Sequence, residues 1–182
     1  MNKKTVYIIH GWGGSPSEPL HLWLKKELEG NGYNVIAPEM PNTEEPHIKE
    51  WVNKTKEIAK TNAESIFVGH SIGCQAIFRF LSDVPEGQKI AGAVLMAPWI
   101  DINMKAIEEE GQEAVAIASE WTSSKVNLAK VKEHINGSIT AIFSSNDPFV
   151  LPKEREEIFT KELGAKIIVE NNKGHFREED GW

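Results

Sequence analysis

Gly69-His70-Ser71-Ile72-Gly73 lies between the apolar run Ser65-Ile66-Phe67-Val68 and the helix-forming stretch Cys74-Gln75-Ala76-Ile77-Phe78-Arg79-Phe80-Leu81, and its reading decides the fold. Apolar strand, G-x-S-x-G, apolar helix is the context of a nucleophile elbow. The serine of such a turn takes a strained backbone conformation, and glycines two before and two after it avoid colliding with each other. The turn projects a hydroxyl clear of the sheet, beside the N–H groups of a helix N-terminus. The bland alternative is a glycine-flanked turn with no chemistry. It loses weight because partners for the serine stand further along the chain.

Working outward, residues 5–9, 33–37, 65–68, 90–96, 139–143 and 165–169 are short apolar runs separated by amphipathic stretches. Near-continuous apolar strands alternating with helices indicate a parallel sheet covered on both faces. Leu20, Trp23, Leu24 and Leu28 share one helical face, and Gly30 or Gly32 stops that helix. Its start is ambiguous. Ser15-Pro16-Ser17-Glu18 fits a capping box, yet Pro19 would then lose a backbone bond, which favours Ser17 as the cap. Ile48, Trp51, Val52, Thr55 and Ile58 mark a second helix, and residues 154–163 a late one. Residues 101–137 are the least clear stretch, with one or two helices expected above the sheet as a partial lid.

The chain has 182 residues, which fits one domain over 1–182. Its net charge of -7 argues against nucleic acid and weakly against anionic membrane surfaces. Cys74 is the single cysteine, so neither an intrachain disulfide nor a cysteine-rich metal site is possible. The apolar run after the basic Met1-Asn2-Lys3-Lys4 breaks at His10-Gly11, too early for a signal peptide, and no run reaches the ~20 apolar residues of a membrane span. The expected location is the cytoplasm.

A serine hydroxyl needs a histidine base, and the histidine needs a carboxylate to fix its tautomer. On a sheet of this type the chain order is Ser, Asp or Glu, His, each just past a strand's C-terminal end. The fifth run leads into Ser144-Ser145-Asn146-Asp147-Pro148 and the sixth into Gly174-His175-Phe176, which nominates Asp147 and His175. Alone, the first reads as a turn aspartate and the second as a loop histidine; with Ser71 they form a triad in the right order. Asp101, after the fourth run, is the rival acid. For the oxyanion, one donor is the Ile72 N–H; the other comes from the loop His10-Gly11-Trp12-Gly13-Gly14, with Trp12 preferred over Gly11. Trp12, His70 and Trp99 are the candidate pocket residues, although His70 is expected to pack against the first loop without titrating usefully. Trp51 reads as packing a helix on the sheet, His134 as solvent-facing, and Cys74 as a small buried helix residue. No nucleotide-binding or metal-ligand motif is present in the sequence, so neither a metal nor another cofactor is expected.

The segments His10-Gly11-Trp12-Gly13-Gly14-Ser15-Pro16, Pro38-Glu39-Met40-Pro41-Asn42 followed by Trp51, the elbow, Asn146-Asp147-Pro148 and Gly174-His175-Phe176 resemble the small α/β-hydrolases of the YdeN and retinoblastoma-binding protein nine type. The resemblance spans nearly the whole chain. It implies a three-layer α/β/α-hydrolase fold with a reduced parallel sheet of about six strands in order 2-1-3-4-5-6. It also implies a triad at Ser71, Asp147 and His175 and carboxylesterase-like activity on small acyl esters; the residues themselves point to attack of Ser71 on an ester, thioester or amide carbonyl through an acyl-enzyme. The resemblance supplies no physiological substrate and no protein partner. The L-x-C-x-E segment for the retinoblastoma pocket is absent, since Ile72-Gly73-Cys74-Gln75-Ala76 does not match it. Two rival functions use the same scaffold: a binding or regulatory protein with little turnover, and an acyltransferase.

Overall fold

The computed structural model describes residues 3–151, 156–177 and 180. Six parallel strands form one sheet in the order β2-β1-β3-β4-β5-β6: β1 (Thr5–Ile9), β2 (Asn34–Ile36), β3 (Ser65–His70), β4 (Gly92–Met96), β5 (Ile139–Ser144) and β6 (Lys166–Glu170). The crossovers carry α1 (Pro19–Gly30), α2 (Ile48–Ile58), α3 (Ile72–Ser82), α4 (Met104–Glu109), α5 (Gln112–Ser123) and α6 (Leu128–Glu133). A π-helical turn, Phe159–Leu163, precedes β6. The late helix expected over 154–163 falls partly on residues 154–155, which lie outside the described residues.

Alternation along the strands separates two apolar faces. Tyr7, Ile9, Phe67, Ala93, Leu95 and Phe143 belong to the main core, together with Trp51 of α2 and Ile77, Phe78 and Leu81 of α3. Val6, Ile8, Val35 and Val68 face the other way and are covered by Leu24 and Leu28 of α1. Burying side chains of this size stabilises by about 1.5–3 kcal/mol each, and this burial gives the sheet its two helical covers.

Several details depart from the sequence reading. Neither Ser15 nor Ser17 caps α1: Glu18 holds the cap position without a side-chain bond, and Pro19, with no N–H to lose there, opens the helix. Trp23 is 58% exposed, so the buried face runs through Leu20, Leu24 and Leu28, while His21 turns inward to Ser15 O at 2.9 Å. His134 is buried, not solvent-facing, because its Nδ1–H caps Gln88 O at 2.9 Å. β3 runs two residues further than its apolar core, through Gly69 and His70, because both pair with β4. That extension carries Ser71 to the rim of the sheet.

Candidate active site

Ser71 sits between β3 and α3 with φ 51° and ψ −117°. Its N–H donates to Met96 O at 2.8 Å and its carbonyl accepts the Cys74 N–H at 2.9 Å, so the strained backbone is held on both sides. The atoms nearest an added Cβ at either flanking glycine belong to other residues, not to the other glycine. A Cβ on Gly73 would stand 2.3 Å from Ile9 O and 2.6 Å from His10 O, at the end of β1. One on Gly69 would stand 2.7 Å from Ile77 Cδ1 and 3.0 Å from the Cys74 backbone. Gly73 admits α3 to β1; Gly69 admits α3 to its own strand.

Ser71 Oγ lies 2.8 Å from His175 Nε2, and His175 Nδ1 lies 2.8 Å from Asp147 Oδ2. All three side chains are buried. The other carboxylate oxygen, Asp147 Oδ1, accepts the N–H groups of Phe149 at 2.9 Å and Val150 at 3.0 Å. An ionised carboxylate only accepts, so the Nδ1 proton points to Asp147 and the Nε2 lone pair points to the serine. Asp101, the rival acid, is exposed, and the carboxylate against His175 is that of Asp147.

The loop carrying His175 is held by side chains that the sequence reading did not assign. Ser145 Oγ accepts Asn172 N–H at 3.0 Å, Ser144 Oγ accepts Lys173 N–H at 2.9 Å, and Asn146 Oδ1 accepts Gly174 N–H at 2.8 Å. The His175 N–H donates to Asp180 Oδ2 at 2.8 Å. The only signal for this clamp was the cluster of small polar residues after β5, which also fits an ordinary turn.

His10 is buried at the end of β1. Its Nδ1–H donates to Gly11 O at 2.9 Å and its Nε2 accepts Met40 N–H at 3.2 Å, which requires the neutral ring. Burial lowers its pKa in the same sense. The Pro38–Asn42 segment therefore serves as a splint. Its Met40 amide fixes His10, and its Pro41 carbonyl accepts the Trp51 indole N–H at 2.8 Å. His70 packs on Gly11, where an added Cβ would come within 2.9 Å of Nδ1. Burial, reinforced by the neighbouring His175, pushes the His70 pKa down to about 3. Burial pushes the Cys74 thiol far up, so it is protonated and inert.

A cavity of about 570 Å³ opens over Ser71 and His175. Gly11, Trp12 and His70 form one wall; Ile102, Ile107, Ala114 and Ile117, on and beside α4 and α5, form an aliphatic one. Glu18, Glu44, Glu110 and Glu113 also line it. The Trp12 indole N–H donates to Glu44 O at 2.9 Å. Trp99 is not among the lining residues: it is 2% exposed and packed into the main core, and its carbonyl accepts from the Gln75 amide. The wall expected from Trp99 comes instead from residues 101–137, which hold three helices rather than one or two. The described residues contain no group of histidine, cysteine and carboxylate side chains able to hold a metal ion.

Comparison with known proteins agrees with this architecture. YdeN of Bacillus subtilis (strain 168), named as a hydrolase, is 26% identical over 180 residues, covering 98% of this chain and 89% of its own. Its crystal structure superposes with a TM-score of 0.83, covering 98% of this chain and 91% of that one. The serine hydrolase RBBP9 of Rattus norvegicus is 23% identical over 175 residues, covering 94% of this chain and 81% of its own. A carboxylesterase structure from the thaumarchaeon Nitrososphaera gargenis shares the fold with a TM-score of 0.74 at 14% identity, covering 96% of this chain and 84% of that one. The family model described as serine hydrolase matches residues 6–182, and the chain is a member of the serine hydrolase family with an α/β-hydrolase fold.

Proposed function

We propose that Ser71 is the nucleophile of an esterase acting on small acyl esters, with His175 as general base and acid and Asp147 as its orienting carboxylate. The observation that carries this assignment is the unbroken relay Ser71 Oγ–His175 Nε2 and His175 Nδ1–Asp147 Oδ2, each link 2.8 Å. His175 takes the serine proton as Oγ bonds to the ester carbonyl carbon. The resulting imidazolium is stabilised by Asp147 and returns the proton to the leaving alcohol. Water, activated by the same imidazole, then releases the acid from the acyl-enzyme.

The Ile72 N–H, at the start of α3 directly after the nucleophile, is the first oxyanion donor. The second donor is Trp12 or Gly11; the engagement of the Gly13 and Gly14 amides with Thr43 O and Gly11 O supports this reading. The aliphatic wall of α4 and α5 accepts a short or medium acyl chain, and the four glutamates, which outnumber the one lining arginine, Arg177, disfavour anionic substrates. Thioesters and amides present the same carbonyl geometry. Cytoplasmic residence is part of the proposal, on the single cysteine. None of the described helices is long and apolar enough to cross a membrane.

A fluorophosphonate probe tests the nucleophile. Wild type labels and Ser71→Ala does not, while a folded Ser71→Ala that still labels would overturn the assignment. Initial rates on activated esters of increasing acyl length then define the pocket.

A further inference from the structure

The loop of His175 is conformationally expensive. Gly174 has φ 50° and Phe176 φ 61°, so the histidine is flanked on both sides by left-handed backbone, which costs a non-glycine residue of order 1 kcal/mol. Such a segment holds its shape only if its surroundings over-determine it. Its amides are held by the clamp after β5 and by Asp180. The carbonyl of His175 is held from a different element: His70 Nε2 lies 2.7 Å from His175 O. A carbonyl only accepts, so His70 donates from Nε2 and its Nδ1 carries no proton in the neutral ring. Residues 70 and 71 are consecutive at the end of β3. One grips the backbone of residue 175 and the other meets its imidazole.

We propose that His70 is a positioning residue for the reaction: its Nε2–H···O=C bond to His175 sets the approach of the His175 imidazole to the Ser71 hydroxyl. This rests on the assignment of His175 as the base. The Ser71–His175 contact is itself broken and remade during turnover, so it cannot hold the loop through the cycle. The His70 bond involves no reacting atom and persists while the proton moves. The two rings have centroids 5.4 Å apart, and a neutral His70 adds no positive charge beside the imidazolium that forms on His175. Burial of His70 keeps it neutral.

The test compares His70→Gln, His70→Asn and His70→Leu by steady-state kinetics on a neutral activated ester, with active sites counted by fluorophosphonate titration and folding checked by circular dichroism. The glutamine amide nitrogen reaches the place of imidazole Nε2; the asparagine amide is one carbon too short. The expected result is a glutamine variant within about threefold of wild-type kcat, with asparagine and leucine variants losing roughly 10- to 100-fold in kcat at nearly unchanged KM. Three folded variants with equal kcat, or a loss confined to KM, overturn the proposal. If the leucine variant does not fold, the glutamine–asparagine difference decides. If the asparagine variant also fails, glutamine decides alone: near-wild-type kcat supports the proposal and a loss of about tenfold or more overturns it. A wild type that neither labels nor turns over refutes the triad itself, whereas a labelling wild type with indistinguishable folded variants refutes only the role of His70.

Discussion

Asp147 spends one oxygen on the backbone and one on His175, the proposed base, and this division makes its charge hard to replace. In Asp147→Asn the amide oxygen satisfies the N–H groups of Phe149 and Val150 and turns the NH₂ toward His175 Nδ1. The imidazole must then carry its proton on Nε2, where it has no lone pair for Ser71. The expected loss in kcat is on the order of 10³- to 10⁴-fold. Asp101→Asn, at an exposed position, is expected to stay within about threefold of wild type. Parallel kinetics on one activated ester measure both, and the reverse ranking would move the acid to Asp101. Chain order nominates a carboxylate after β5, but which strand end meets the histidine loop, and so puts Asp147 and not Asp101 against His175, depends on the fold.

At the scale of elements, the elbow is a close-packing problem. Helix α3 starts where β1 ends, and Gly73 is the point of contact. Gly73→Ala puts a methyl 2.3 Å from Ile9 O, a backbone atom that cannot swing aside. The helix must back away and carry the Ile72 amide with it, so activity is expected to fall at least 10²-fold even where the protein folds. Gly30, in the last turn of α1, has nothing within 4 Å of an added Cβ, and Gly30→Ala is expected to stabilise by up to about 1 kcal/mol with unchanged activity. Urea denaturation and ester turnover of both variants check the contrast. Local sequence marks Gly73 as part of the elbow and Gly30 as a helix stop; that a methyl meets β1 at Gly73 and open space at Gly30 is decided by the packing.

For the whole molecule, buried neutral histidines make stability depend on pH. The folded pKa of His70 is about 3, below its ordinary value of 6.5, with burial as the main cause and His175, His21 and His10 as the facing groups. Between these values the unfolded chain binds a proton that the folded protein does not, so stability is full above about pH 6.5 and falls as pH drops toward 3. From pH 7 to pH 5 the loss from His70 alone is about 2 kcal/mol, and His10, also lowered, adds in the same direction. Urea unfolding at both pH values is expected to show a smaller loss for His70→Gln than for wild type. An equal loss would mean that His70 is protonated in the folded state.

Much of this protein was legible in one dimension. Apolar runs marked the six strands and the G-x-S-x-G spacing marked the turn at Ser71, because strand propensity and turn preference are local; the order Ser71, Asp147, His175 named the candidates through the chain order that goes with such a sheet. What folding alone decided lies across long separations. Trp99 passed into the core while α4 and α5 supplied the cavity wall, because burial depends on which surfaces face each other. His134 and His21 turned inward for carbonyls that sequence does not mark as acceptors. The bond from His70 to the carbonyl of His175 spans 105 positions, and a backbone acceptor carries no side-chain signature, so only the packing of β3 against the loop after β6 brings it into being.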